Sequence, residues 1–270
     1  MLWYGIAGFA LIMLVSFWRR TDRYEDLCVA TFILVFLLLL TALGTFEGFL
    51  RPLTWDARLR AADLYLGLDG FALARLCWET TWLRILATIS YCALPFAFAL
   101  NWSLERSRLA LRAAVIGGFL AFPLYLLVPA CGPQYAFAGY PWHPVVLPGL
   151  TVVSTLYARN CFPSMHFSWA LLLALNARNK LWRGTLFGYS ILVGLSAVGG
   201  GEHYFIDLIA AVPFTWGVQW VAEQSFGWQK RWQSSRLAAE RRPPSFGRRF
   251  PEGIQCHQLM EGRKADVHEG

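Results

Sequence analysis

The chain has 270 residues, of which 56% are hydrophobic and only 15% are charged. A water-soluble globule of this length rarely has so apolar a composition, so an ordinary soluble domain is excluded. The net charge of +7 lies largely in short loops and in the C-terminal tail, where basic residues orient membrane proteins. We therefore expect an all-α transmembrane bundle in contact with the lipid bilayer, and no nucleic-acid partner.

Seven apolar runs are candidate membrane spans, because about 20 apolar residues cross a hydrocarbon core of about 30 Å. In chain order they cover residues 2–18, 27–50, 82–101, 109–130, 163–179, 184–200 and 203–223. The sequence thus predicts six to seven spans.

Basic segments lie between these runs, at residues 19–23, 105–112, 176–183 and 230–249. When seven spans alternate in direction, all four segments fall on one side, which the positive-inside rule identifies as the cytoplasm. The loop 131–162 is then expected on the extracytoplasmic side.

Residues 51–80 contain four arginines balanced by four acidic residues, with apolar residues at helical spacing. This pattern predicts an amphipathic helix lying in the outer membrane interface, with a solvated loop as the alternative.

These patterns divide the chain into three predicted regions. They are N-terminal spans and interfacial helix in 1–80, a membrane core in 81–225, and a basic tail in 226–270. The tail is poor in aliphatic residues, so it is expected to be disordered.

Polar residues begin two of the later runs. Pro163 suits the first position of a helix, which puts Ser164 and His166 on its first turn. His203 and Asp207 are four residues apart, one turn on the same helix face. We expect Asp207 to orient His203, leaving one ring nitrogen free as nucleophile, while His166 acts as the acid.

A phosphate would need a binding cradle beside these histidines. Helix N-termini offer free N–H groups, and the glycines before Glu202, including Gly201, let the backbone approach a ligand closely. We expect Arg159 and Ser164 to hold phosphoryl oxygens, and Tyr135 and His143 are further candidates for substrate binding.

Three alternatives remain open from the residues alone. His166, His203 and Asp207 have the donor types for a zinc or manganese site. Buried ionisable groups also occur in transporters, where they relay protons. Cys131 and Cys161 bracket the outer loop and form either a disulfide or two free thiols.

The segments "CFPSMH" and "GEHYFID" resemble the second and third motifs of the type 2 phosphatidic acid phosphatase superfamily, within residues 110–222. The resemblance implies that His203 becomes phosphorylated, that His166 is the general acid and that Asp207 orients the nucleophile. It also implies that Ser164 binds phosphate.

Three departures from the phosphatase pattern stand out. The first motif, Lys and six residues before Arg-Pro, is missing, and Ala197 and Met165 replace the usual arginine and glycine. These changes resemble the branch of inositol phosphorylceramide synthases and related inositolphosphotransferases. With fewer cations, the site suits a phosphodiester, which carries one negative charge, better than a phosphomonoester dianion.

The sequence therefore predicts a multi-pass membrane enzyme with an extracytoplasmic active site. It cleaves or transfers a lipid-linked phosphoryl or phospho-head group through a phosphohistidine, without a metal or cofactor. A phosphotransferase acting on a phospholipid and an alcohol acceptor is favoured. The alternatives are a lipid phosphate phosphatase, which uses water, and a membrane transporter, and the oligomeric state stays open.

Overall fold

The computed structural model describes Ala10 and residues 23–142 and 151–240, with side chains described up to Ser225. The elements, in chain order, are α1 (Arg23–Leu50), β1 (Leu53–Thr54), α2 (Asp56–Tyr65), α3 (Gly70–Glu79), α4 (Thr81–Cys92), α5 (Leu94–Glu105), α6 (Arg108–Leu127), α7 (Pro133–Ala136), β2 (Thr151–Val152), α8 (Met165–Asn176), α9 (Lys180–Gly199) and α10 (Phe205–Glu240). The expected all-α fold is confirmed, since the described strands have only two residues each.

Four described helices are long and apolar enough to cross a membrane, within Tyr24–Leu50, Arg108–Leu127, Lys180–Gly199 and Phe205–Ser225. The bent pair α4–α5 makes up to five, and α8 is apolar but has only 12 residues. The predicted span 2–18 lies outside the described residues. Six of the seven predicted runs thus correspond to helical segments.

The predicted span 82–101 is not one straight helix. It consists of α4 and α5, which meet at Ala93 with a bend of 52°. Pro95 occupies the first turn of α5, where a missing N–H does no harm, whereas in a continuous helix it would remove a hydrogen bond. The break thus places Pro95 where a helix tolerates a proline.

Residues 51–80 do not form a single amphipathic helix, and the alternative of a solvated loop is also wrong. They form α2 and α3, with a turn between them in which Gly67 has a φ of +74°. The buried face of α2 carries charged groups, because Asp56, Arg60 and Asp63 are all buried. These groups are buried against other parts of the protein, where they take part in hydrogen bonds.

The core that positions the site is centred on α8. This helix packs against α6 and α9, and α9 also packs against α3 and α4. Leu172 and Leu173 of α8 are fully buried, while α6 presents alanines and Gly117, whose small size allows close approach. The strand pair β1–β2 is antiparallel, and an isolated bridge joins Ala130 to Asn160 just before α8.

The chain divides into two compact units, Met1–Phe226 and Gly227–Gly270. All the site residues that the structure describes belong to the first unit. In the second unit, the structure describes helix as far as Glu240. The expectation of a disordered tail concerns residues that lie mostly outside the described part of the chain.

Candidate active site

Both predicted catalytic histidines line the same cavity, which has a volume of about 330 Å³. Its polar wall also includes Tyr91, Asn160 and Glu202, and the remaining wall is mainly aliphatic and aromatic. No lysine or arginine is among the described residues that line it. The cavity thus combines an apolar space that fits a lipid with a small group of polar side chains.

His203 is held by its Nδ1 atom. Nδ1 lies 2.8 Å from the backbone carbonyl oxygen of Cys161 and 3.4 Å from Oδ2 of Asp207. Both neighbours are hydrogen-bond acceptors, so Nδ1 carries the proton that it donates. The other ring nitrogen, Nε2, then has a free lone pair, as a nucleophile requires.

Asp207 contacts His203, as predicted, but the carbonyl oxygen of Cys161 is the nearer partner of the ring. Oδ2 of Asp207 also accepts the backbone N–H of Tyr204 at 2.7 Å and the thiol of Cys161 at 2.9 Å. Asp207 therefore fixes the turn before α10 as well as the imidazole.

The two residues do not share a helix face, because α10 begins at Phe205 and His203 precedes it. The two side chains still contact each other, because Asp207 accepts the N–H of Tyr204. This hydrogen bond folds residues 203–207 into a turn that brings the His203 ring next to the Asp207 carboxylate.

His166 lies on the first turn of α8 and pairs with Tyr91 of α4. The phenol oxygen is 3.0 Å from Nδ1 of His166, and the two rings stack with centroids 4.0 Å apart. As an imidazolium, His166 donates its Nδ1–H to the phenol oxygen of Tyr91 and carries a second proton on Nε2, which is the form that a general acid requires. Tyr91 was not predicted from the sequence, because a tyrosine within an apolar run gives no functional signal.

The family model described as the PAP2 superfamily matches residues 57–221 of this chain. The match covers more than half of the chain and includes α2, α3 and both histidines. The chain belongs to the PAP2 superfamily. It is therefore a membrane enzyme of the phosphatase or phosphotransferase type. No curated protein matches the chain, and no solved structure matches it.

Pro163 is not the first residue of α8, the helix that carries His166. The helix starts at Met165, because Ser164 has extended backbone angles and occupies the N-cap position. The Ser164 hydroxyl makes no cap hydrogen bond, is fully buried and has no partner among the described residues. It is not among the lining residues of the cavity, so contact with phosphate remains a prediction.

Arg159 has a structural role in this structure. The side chain is fully buried. Its guanidinium donates to four backbone carbonyl oxygens, those of Arg51, Val153, Ser154 and Tyr157, at 2.8–3.1 Å. Arg159 therefore ties the segment before α8 to the residue that follows α1, and its contact with phosphate remains a prediction.

The glycine loop is not a phosphate cradle. The N–H groups of Gly200 and Gly201 donate to Ser196 and Val198, and those of Glu202 and His203 both donate to Ala197. Gly201 is needed for the turn itself, because its φ is +80° and a Cβ would lie 2.5 Å from the ring of Tyr140. Gly201 thus has a structural reason for its presence, and its role in binding substrate remains a prediction.

Tyr135 lines the cavity, as predicted. Its hydroxyl donates to the carboxyl group of Glu202 at 3.1 Å, and Gln134 also donates to that carboxyl group. Burial raises the pKa of Glu202 above its ordinary value, while His203 and these two donors oppose the rise. His143, the remaining predicted contact, lies outside the described residues.

Cys131 and Cys161 are free thiols, so the disulfide alternative is not adopted. Burial raises the pKa of both thiols. Cys161 donates to Asp207, whereas Cys131 donates to Asp56, at 3.4 Å. The two sulfur atoms therefore belong to different hydrogen-bonded groups.

The described residues with ligand atoms close enough to share a metal ion are Cys161, His203 and Asp207, all within 4.8 Å of one another. This set differs from the alternative drawn from the sequence, because Cys161 takes the place of His166. The contact to Cys161 was missed, since a cysteine three residues before a serine has no distinctive spacing.

Two carboxylates outside the motifs support the site. Asp63 of α2 accepts the N–H groups of Phe205 and Ile206 at the start of α10, at 2.9 and 2.8 Å. Asp56 accepts the N–H of Gly132 at 2.9 Å and the hydroxyl of Tyr204 at 3.0 Å. Both residues lie in the segment that was predicted as an interfacial helix, and these contacts could not be predicted because the partners are more than 70 residues away along the chain.

Proposed function

We propose that this PAP2 protein transfers a phospho-head group from a phospholipid to a second alcohol, through a phosphohistidine on His203. The observation that carries the proposal is the pairing of two histidines with different hydrogen-bond partners on one largely apolar cavity. His203 is held by acceptors and suits attack, whereas His166 is held by a hydroxyl and suits proton transfer. The inositolphosphotransferase-like branch of the superfamily is the closest description of this activity.

The charge of the cavity favours a phosphodiester donor. A phosphomonoester carries up to two negative charges and calls for several cations, but the described cavity wall contains no lysine or arginine. Arg159 is committed to carbonyl oxygens, and Glu202 brings a carboxyl group to the same wall. A phosphodiester carries a single charge, so it loses less by entering such a site.

In the first step, Nε2 of His203 attacks phosphorus. The new P–N bond forms as the P–O bond to the lipid alcohol breaks, and His166 donates its proton to the leaving oxygen. The Nδ1–H of His203 keeps its bond to the Cys161 carbonyl, and the positive charge that develops on the ring is stabilised by Asp207 nearby.

In the second step, the acceptor alcohol occupies the position that the first alcohol has left. His166, which is now neutral, takes the proton of the acceptor hydroxyl. The acceptor oxygen attacks phosphorus as the P–N bond to His203 breaks. The apolar part of the wall, including Ile33, Phe36 and Phe98, offers space for the acyl chains. With water as the acceptor, the same steps would make the protein a phosphatase.

We place the reaction at the extracytoplasmic surface. The proposal rests on the basic segments 105–112 and 176–183, which flank α6, α8 and α9 at the ends away from the histidines. A cysteine-labelling experiment with a membrane-impermeant reagent on single-cysteine variants in these loops tests this orientation.

Activity of the purified protein in detergent tests the reaction. Labelled phosphodiester and phosphomonoester lipids are supplied with a labelled diacylglycerol, and head-group transfer and free phosphate are both followed. We expect head-group transfer from diesters, an acid-labile phosphorylated intermediate, and at least a thousand-fold loss of both in His203→Ala. Full activity in that variant would contradict the mechanism.

The other outcomes identify the alternatives. Release of free phosphate from monoesters, without transfer, would assign the protein to the lipid phosphate phosphatases. Absence of turnover with every phosphate-containing lipid would favour a transporter, in which His203 and Asp207 relay protons.

A further inference from the structure

Glu47 is a buried carboxyl group that the mechanism does not use. It has no exposed surface, and neither carboxyl oxygen has a hydrogen-bond partner among the described residues. It lies in the last turn of α1, where the partial negative charge of the helix end disfavours an acidic side chain. A buried polar group without a partner is costly. The described contacts therefore give the Glu47 side chain no stabilising role that would explain its presence.

Glu47 lines a second cavity, of about 60 Å³. Asn160, His166 and Trp169 line both this cavity and the larger one, so the two spaces adjoin at the proposed general acid. About 10–15 Å³ suffices for one water molecule, so the second cavity has room for several waters or for a small polar group. The carboxyl group of Glu47 is thus one of the groups that a ligand reaching past His166 would meet.

The substituents on phosphorus need two different environments. The attacking nitrogen and the leaving lipid oxygen lie on opposite sides of phosphorus, and the acyl chains require the large apolar cavity. The head group remains on phosphorus throughout the transfer, so it needs a separate polar space beside the reacting atoms. The small cavity adjoins His166, and within a mostly apolar lining it offers the polar side chains of Glu47, Tyr125 and Asn160.

We propose that the second cavity is the head-group subsite, and that Glu47 accepts hydrogen bonds from hydroxyl or ammonium groups of the head group. The inference rests on the proposed transfer reaction and adds the class of donor lipid to it. Head groups that carry hydrogen-bond donors would satisfy the carboxyl oxygens. A head group without donors would leave both oxygens unpaired, and the site would discriminate against it.

Four donor lipids with identical acyl chains test the proposal, each assayed for transfer of its head group to labelled diacylglycerol. Phosphatidylglycerol carries hydroxyl donors, phosphatidylethanolamine carries an ammonium donor, and phosphatidylcholine and phosphatidylmethanol carry none. We expect kcat/KM for at least one of the first two lipids to exceed that for phosphatidylmethanol by ten-fold or more. Which of the two is preferred distinguishes a hydroxylated head group from an ammonium.

The variants are Glu47→Leu, which removes both acceptors at similar volume, and Glu47→Gln, which keeps one. The preference over phosphatidylmethanol should fall below two-fold in Glu47→Leu and take an intermediate value in Glu47→Gln. Turnover of phosphatidylmethanol itself should change less than three-fold, which shows that the catalytic histidines remain intact. Thr45→Val is the matched control on the same helix, because its hydroxyl bonds only to the Thr41 carbonyl.

An unchanged preference in Glu47→Leu would overturn the head-group subsite, and so would equal turnover of all four lipids by the wild-type protein. Both results would leave the transfer reaction standing. If the wild-type protein transfers no head group from any of the four lipids, the proposed function itself fails.

Discussion

Two regions of the molecule treat buried polar groups in opposite ways. Asp56 and Asp63 accept hydrogen bonds from backbone N–H groups more than 70 residues away, and Arg159 donates to four backbone carbonyl oxygens, one of them 108 residues away. Around the cavities, Glu47 has no side-chain hydrogen bond within the described part of the chain, and His203 makes its described side-chain hydrogen bonds through Nδ1. Polar side chains with several hydrogen bonds stabilise the fold, whereas those with unused donors or acceptors can bind a ligand.

The first region fixes where the second lies. Asp63 binds the start of α10, which follows His203, and Arg159 binds the loop that precedes His166. Each satisfied charge therefore holds one of the two segments that deliver a histidine to the cavity. Loss of a group in the first region should reduce stability, and loss of a group in the second should reduce activity without loss of stability.

Replacement of His166 tests the second half of this comparison and has the largest expected effect. In His166→Asn, head-group transfer should fall by about 10²–10⁴-fold, because the leaving alcohol no longer receives a proton. The loss should be much smaller with a 4-nitrophenyl ester, whose leaving group needs no proton. Thermal unfolding in detergent should stay within a few degrees of the wild-type protein. An equal loss with both substrates would argue against acid catalysis by His166.

Replacement of Arg159 tests the first half. Arg159→Met leaves four backbone carbonyl oxygens without their donor, so we expect a loss of about 3 kcal/mol in stability, seen as a lower unfolding temperature. The correctly folded fraction should still form the phosphorylated intermediate at a rate within a few-fold of the wild-type protein. Unchanged stability with loss of the intermediate would instead make Arg159 a phosphate ligand.

The pH dependence of stability tests Asp63 and has the smallest expected effect. Burial raises the pKa of Asp63 from its ordinary value of 3.8 to about 6, against the opposing effect of the Phe205 and Ile206 N–H groups. The folded state therefore holds this proton more tightly than the unfolded state. The contribution to stability is fully present below about pH 4 and is lost as the pH rises through 6, by at most about 3 kcal/mol.

Unfolding temperatures of the wild-type protein and of Asp63→Asn, compared between pH 4.5 and 7.5, isolate this contribution. The variant is less stable overall, because an amide replaces one of two accepting oxygens, so the informative quantity is the slope with pH. The difference in unfolding temperature between the two proteins should change between pH 4.5 and pH 7.5. A constant difference would show that Asp63 titrates normally.

Local patterns in the amino-acid sequence are enough to predict the membrane class, most of the helical segments and the histidine pair. Apolar runs of about 20 residues leave few alternatives to transmembrane helices, and the motifs around His166 and His203 have fixed local spacing. Both histidines do line one cavity. These features depend on composition or on neighbours within a few residues, so a linear pattern contains them.

Which polar side chains keep free hydrogen-bonding capacity could not be predicted, because it depends on tertiary contacts. Arg159 was predicted as a phosphate ligand from its position before the motif, yet its donors are used by carbonyl oxygens up to 108 residues away in the chain. Glu47 gave no signal within its apolar run, although its carboxyl group has no hydrogen-bond partner among the described residues and lines a cavity together with His166. The availability of a hydrogen-bonding group depends on which other groups the fold brings to it, and that is fixed by contacts between distant parts of the chain.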